Sequence, residues 1–179
     1  RAVCQDREPE PATVADGGVV KGICVPGGAD SLSRKNINAL EEHVKIYGAM
    51  GLAWVKLQED DWSGSIAKFF DDPARAQIAE KFGANPGDLL LFVASTPQIA
   101  NTSLGHLRDK LARDLDLIKE NDFQFVWVTE FPLFEHDAET GELAPMHHPF
   151  TSPRPEDFDL LDTAPERAYA QAYDLVLNG

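Results

Sequence analysis

Basic side chains are scarce in this sequence. Lys and Arg number 16 against 30 Asp and Glu, which leaves a formal net charge of −14. Phosphate binding rests mainly on Lys and Arg, so the chain has no electrostatic footprint of its own for a nucleic acid. If RNA is a partner, other segments must supply most of the contact. Cysteine is nearly missing too: Cys4 and Cys24 fit neither a disulfide framework nor a Cys-based zinc site. No apolar run approaches the length of a transmembrane helix, and the N-terminus lacks a signal peptide's charged-then-apolar pattern. A soluble cytoplasmic chain with no membrane partner is expected.

What is present reads as globular. The 43% apolar and 26% charged residues exclude wholesale disorder, and 179 residues suffice for one or two compact domains. Arg1 to Cys4 reads as a strand entered midway, and Tyr173 to Gly179 stops on an apolar segment, so both ends read as cut. Asp6 to Gly18, with Pro9, Pro11 and Gly17-Gly18, reads as a loop. A β-branched strand spans 19–25 and closes at Pro26-Gly27-Gly28.

Ser33 can cap a helix to about Tyr47 with Ile37, Leu40, Val44 and Tyr47 on one face, ended by Gly48. Residues 52–57 alternate as a strand, and 65–70 form a short helix or turn. Asp72-Pro73 opens a helix that Gly83 closes. Leu89 to Ala94 is an almost unbroken apolar run, typical of a buried strand. Residues 97–117 form an amphipathic helix with Ile99, Leu104, Leu107, Leu111 and Leu115 inside. This mixture predicts a compact two-layer α+β module ending near residue 122.

Beyond it the texture changes. Residues 123–129, 131–135 and a short stretch near Leu143 read as strands, and Glu135-His136-Asp137 as a solvated turn. A Pro-rich loop, a helical stretch over 165–170 and a last strand over 173–177 follow. The division is therefore 1–122 and 123–179.

Four features are weighed for chemistry. Pro26-Gly27-Gly28-Ala29-Asp30 superficially suits a phosphate, since glycines let backbone N–H groups approach an anion. It lacks both the dinucleotide spacing and the Lys-Ser/Thr of a nucleotide loop, and Asp30 repels anions, so it reads as a structural turn. His147-His148 sits in a Pro-stiffened segment. Adjacent residues of an extended chain point to opposite faces, so one shared metal is disfavoured, whereas a single imidazole suits a carboxylate or phosphate. Asp174, among Tyr173, Leu175 and Val176, is costly to bury unless paired or bound to a cation such as Mg²⁺. Glu130 raises the same question less strongly.

Phe125-Val-Trp-Val-Thr-Glu-Phe-Pro-Leu-Phe-Glu135, Met146-His-His-Pro-Phe-Thr-Ser-Pro153 and Ala172-Tyr-Asp-Leu-Val-Leu-Asn-Gly179 resemble, in order and spacing, consecutive segments of bacterial-type aspartyl-tRNA synthetases. Val25-Pro-Gly-Gly-Ala-Asp30, Ser33-Arg-Lys-Asn36, Val44-Lys-Ile-Tyr-Gly48, Gly51-Leu-Ala-Trp-Val55 and Ser65-Ile-Ala-Lys-Phe69 resemble the GAD domain inserted in those enzymes.

The resemblance implies an inserted GAD-like module followed by part of a class II antiparallel catalytic sheet. It implies ATP-dependent activation of aspartate with Mg²⁺, then transfer to tRNA, in a homodimer built through segments outside this chain. It makes His147 the histidine that contacts aspartate, with His148 and Glu130 supporting it, and puts Asp174 near ATP and Mg²⁺. The family's metal-binding glutamate, its ATP-binding arginines and its anticodon-binding barrel match nothing here, so no activity is expected of the chain alone. Two other readings stay open: a non-catalytic GAD-type module of a tRNA-dependent amidotransferase, which fits 1–122 but not 123–179, and a His-metal hydrolase, which lacks a third ligand.

Overall fold

The computed structural model describes residues 5–7, 17–59, 61–119, 121–137, 140–148 and 150–178. The expectation for Arg1 to Cys4 and most of that for the loop after Asp6 lie outside them. The chain divides into two compact units, 1–118 and 119–179.

In the first unit, β1 (Gln5–Arg7), β2 (Val19–Val25), β3 (Ala53–Leu57), β4 (Trp62–Gly64) and β5 (Leu89–Ser95) form one sheet in the order β1-β2-β5-β3-β4, every pair antiparallel. Asp6, expected in a loop, pairs with Lys21. Helix α1 (Gly28–Ser31) follows β2, and α2 (Arg34–Lys45) follows α1. Helix α3 (Asp72–Phe82) precedes β5, and α4 (Pro97–Asp114) follows it.

Local sequence explains the helix ends. Ser33 Oγ accepts the Asn36 N–H while Asn36 Oδ1 accepts the Ser33 N–H, a reciprocal cap that fixes the start of α2. For α3 the cap is Asp71, whose Oδ1 accepts the Ala74 N–H at 2.9 Å, and Asp72 is already helical. Gly83 closes α3 at φ 57, where a side chain would be strained. Helix α4 stops at Asp114, three residues short of expectation, and Asp116 takes φ 53 just beyond it.

β5 decides the layering. Leu89, Leu91 and Val93 pack with Ile37, Leu40 and Val44 of α2 and with Leu104, Leu107 and Leu111 of α4. Leu90 and Phe92 point the other way and pack with Ile78 and Phe82 of α3 and with Val55 and Leu57. Helices therefore cover both faces, and the module has three layers rather than the expected two. An unbroken apolar strand requires this, because period-two geometry sends half of its side chains to each face. Each fully buried Leu contributes about 1.5–3 kcal/mol.

The Gly27-Gly28 turn is held from the turn that precedes β5. Gly27 adopts φ 66, its N–H donates to Asp88 Oδ1 at 2.9 Å, and the Ala29 N–H donates to Gly87 O at 3.0 Å. Lys56 Nζ donates to the carbonyls of Ala29 at 2.5 Å and Leu32 at 2.7 Å. A Cβ on Gly28 would lie 2.9 Å from Leu89 Cβ, so this position must remain bare for the helix to dock. These donors are engaged within the fold, and the turn is architectural. Among the described residues no helix is long and apolar enough to cross a membrane.

Candidate functional site

The candidate site residues Glu130, His147, His148 and Asp174 all fall in the second unit. There β6 (Phe125–Val128) pairs antiparallel with β9 (Asp174–Leu177), with Val128 opposite Asp174. Asn178, at φ 53, stitches the open end of this ribbon. Its Oδ1 accepts the Gln124 N–H at 2.8 Å, its own N–H reaches Gln124 O at 2.9 Å, and its Nδ2 reaches Asp122 O at 2.9 Å. Alternation puts Val126, Val128, Val176 and Asp174 on one face, and Phe125, Trp127, Leu175 and Leu177 on the other. Trp127 is 62% exposed and Leu175 52%, so this second face stands in solvent.

After β6 the chain kinks at Glu130, which adopts φ 63. The continuous strand expected over 131–135 is broken. Phe131 to Leu133 pair irregularly: the Leu133 N–H donates to Ala168 O at 2.9 Å, the Ala170 N–H donates to Phe131 O at 2.7 Å, and Pro132 makes only an isolated bridge to Tyr169. Pro132 has no N–H for a ladder, which limits pairing here. A small core of Leu133, Ala168 and Ala170 collects Phe131, Phe134, Leu160 and Leu161 around it.

Regular pairing resumes in β7 (Phe134–His136) with β8 (Leu143–Pro145). His136, expected only in a turn, therefore belongs to a strand, as does Glu135 at the end of the expected 131–135 strand. The turn starts at Asp137, whose Oδ1 accepts the Thr140 N–H at 2.8 Å. The helical stretch expected over 165–170 shortens to a single 3₁₀ turn at Pro165–Arg167.

The Met146 N–H donates to Leu133 O at 3.1 Å and fastens the histidine segment to this core. His147 is half-buried. Its ring meets that of Phe131 at 5.3 Å and 79°, and its Nε2 is buried without a hydrogen-bond partner among the described residues. His148 is exposed. Its Nδ1 accepts the Phe150 N–H at 3.2 Å and its ring meets Phe150 at 4.8 Å. The two imidazoles thus sit in different surroundings; Pro149 lies outside the described residues.

Arg154 completes the group. Its Nη1 lies 4.0 Å from Glu130 Oε1, its guanidinium covers the Tyr169 ring at 5.0 Å, and its N–H donates to Tyr169 O at 2.9 Å. His147, Phe131, Glu130 and Arg154 are therefore linked in series. Only the setting between Pro153 and Pro155 marks Arg154 in the sequence, since flanking prolines stiffen the backbone that carries it.

Asp174 is not brought into this group. It is exposed, and its carboxylate takes no hydrogen bond or ion pair among the described residues. No three His, Cys, Asp or Glu side chains among the described residues are placed to hold a metal ion. The donor set on hand is thus a single carboxylate, which falls short of what Mg²⁺ needs.

An antiparallel sheet flanked by helices, with a glycine turn locked by the turn that precedes β5, defines the first unit. Residues 11–104, just over half of the chain, match the GAD domain model, and the chain belongs to the GAD domain family. The similarity does not stop at that module. The chain is 53% identical over 167 residues to an aspartate–tRNA ligase of Staphylococcus carnosus and 54% identical over 166 residues to an aspartate–tRNA(Asp/Asn) ligase of Bacillus cytotoxicus. It is 50% identical over 168 residues to an aspartate–tRNA ligase of Halalkalibacterium halodurans. These matches cover 93–94% of this chain and 28% of each relative's length.

Proposed function

We propose that this chain serves as a segment of an aspartate–tRNA ligase, with an inserted GAD module followed by part of a class II catalytic sheet. One observation carries this reading: identity near one residue in two runs through both units, not through the GAD region alone. A GAD-type module of an amidotransferase would account for 11–104 and leave the match over 119–179 without cause.

In the whole enzyme, the carboxylate of aspartate attacks the α-phosphorus of ATP and pyrophosphate leaves. A terminal hydroxyl of tRNA then attacks the aspartyl carbonyl and releases AMP. Within this chain the work is binding and orientation. His147, whose Nε2 has no hydrogen-bond partner among the described residues, supplies a nitrogen for the substrate carboxylate, and His148 and Glu130 flank it. ATP and Mg²⁺ are the cofactors this reading implies. Asp174 alone does not make a metal site, so no step is assigned to the metal here. The remaining contacts, and those of a homodimer in the cytoplasm, fall to segments outside this chain.

The test is aspartate-dependent ATP–pyrophosphate exchange. A full-length ligase carrying this chain should show it, and the 179-residue chain alone should not, because ATP binding energy comes largely from cationic contacts. Exchange by the chain alone, clearly above a no-enzyme control, would overturn this division of labour.

A further inference from the structure

The Nε2 of His147 has no hydrogen-bond partner among the described residues, so packing does much of the work of holding its ring. The wall it packs on is Phe131, and Phe131 follows a backbone kink that carries strain. Glu130 adopts φ 63 without being glycine, a conformation that persists only where neighbours hold it. One side chain approaches the kink residue and packs on the strand that pairs with Phe131. Arg154 reaches Glu130 Oε1 at 4.0 Å and lies over Tyr169, whose neighbour Ala170 donates its N–H to Phe131 O. The base of Arg154 is fixed as well: its N–H donates to Tyr169 O, Pro153 bridges Ala170, and the Tyr169 N–H donates to Asp157 Oδ2 at 2.9 Å.

We propose that Arg154 is a positioning residue for His147, acting through Glu130 and Phe131. The ion pair itself is long and exposed and contributes little stability. Its effect is geometric. A planar guanidinium stacked on a ring has few orientations, so it narrows the positions open to the carboxylate 4.0 Å away and, with it, the kink that precedes Phe131. The functional weight of this clamp rests on the reading of His147 as a contact for aspartate.

The test uses the 179-residue chain labelled in its histidine rings and followed by NMR, with His147→Gln to assign the resonance. Arg154→Ala should move the His147 ring signals towards unfolded-chain values. Arg154→Lys, which keeps the cation, should return them at least halfway. His136, whose Nδ1 lies 3.1 Å from Gly141 O in the adjoining hairpin, should not move, which separates loss of the clamp from general loosening. If Arg154→Ala does not fold, Glu130→Gln removes the pair alone and should shift the same signals in the same direction. Unmoved His147 signals in a folded variant overturn the proposal.

In a full-length ligase carrying this chain, Arg154→Ala should raise KM for aspartate about 10-fold with kcat held within about two-fold, the pattern of lost binding rather than lost chemistry. Shifted signals beside an unchanged KM leave the clamp standing and overturn the role of His147 instead.

Discussion

Asp88 and Gly27, 61 positions apart, meet at 2.9 Å, where the Gly27 N–H donates to Asp88 Oδ1. The other carboxylate oxygen accepts the Asn85 N–H at 2.8 Å and the Cys24 thiol at 3.8 Å. One buried carboxylate therefore joins the exit of β2 to the entry of β5. Asp88→Ala leaves two backbone donors without their acceptor and should cost about 3 kcal/mol or more in urea unfolding, with Asp88→Asn milder because it keeps one acceptor. A loss under about 0.5 kcal/mol for the alanine variant would show that the turn holds without this carboxylate.

The same contact makes stability depend on alkaline pH. Burial first, then the Asp88 carboxylate, push the Cys24 thiol up from 9.0 to about 11. The folded chain keeps this proton longer than the unfolded chain, so its stabilisation is complete below about pH 9 and declines as pH rises through 11. The decline should approach roughly 2–3 kcal/mol and be absent in Cys24→Ala. Cys24 should also resist iodoacetamide at pH 8 until urea is added, because the thiolate is the nucleophile. Rapid alkylation of the native chain at Cys24 would contradict this.

Gly28 and Gly27 separate two reasons for glycine. Gly28→Ala drives a Cβ against Leu89 and Val25 and should cost about 1–3 kcal/mol by overpacking. Gly27→Ala meets nothing within 4 Å, but φ 66 should cost about 1–2 kcal/mol. A Gly28→Ala variant that melts like the parent chain would mean that the helix can shift away from β5.

Much of the first unit was legible because its signals are local. The Ser33 cap, Gly83 at the end of α3 and the unbroken apolar run from Leu89 each announce their element. What was not legible depends on partners far along the chain. Trp62–Gly64 has too little alternation to read as a strand and becomes one only beside β3. The third layer follows from which helix covers Leu90 and Phe92, and no local pattern encodes that. At the site, His147, His148, Glu130 and Asp174 stood out by residue type. The series from His147 to Arg154 did not, because it is made by irregular pairing around Pro132, where periodicity gives no register.

The two units should differ in protection. β2 and β5 are paired on both sides beneath helices, whereas β6 and β9 form a two-stranded ribbon with Phe125, Trp127 and Leu175 in solvent. Hydrogen exchange should show 125–128 and 174–177 opening well before 89–93, and the apolar ribbon should favour self-association at high concentration. Equal protection with a single cooperative transition would contradict this reading.

The decisive experiment replaces the matching 28% of the Staphylococcus carnosus enzyme with this chain and measures charging of tRNA with aspartate. The chimera should be active, and His147→Ala in it should weaken the use of aspartate roughly 10- to 150-fold, the loss expected for a hydrogen bond to a charged group worth about 1.5–3 kcal/mol. A folded chimera that charges no tRNA with aspartate, or one that charges it equally well without His147, would contradict the proposed function.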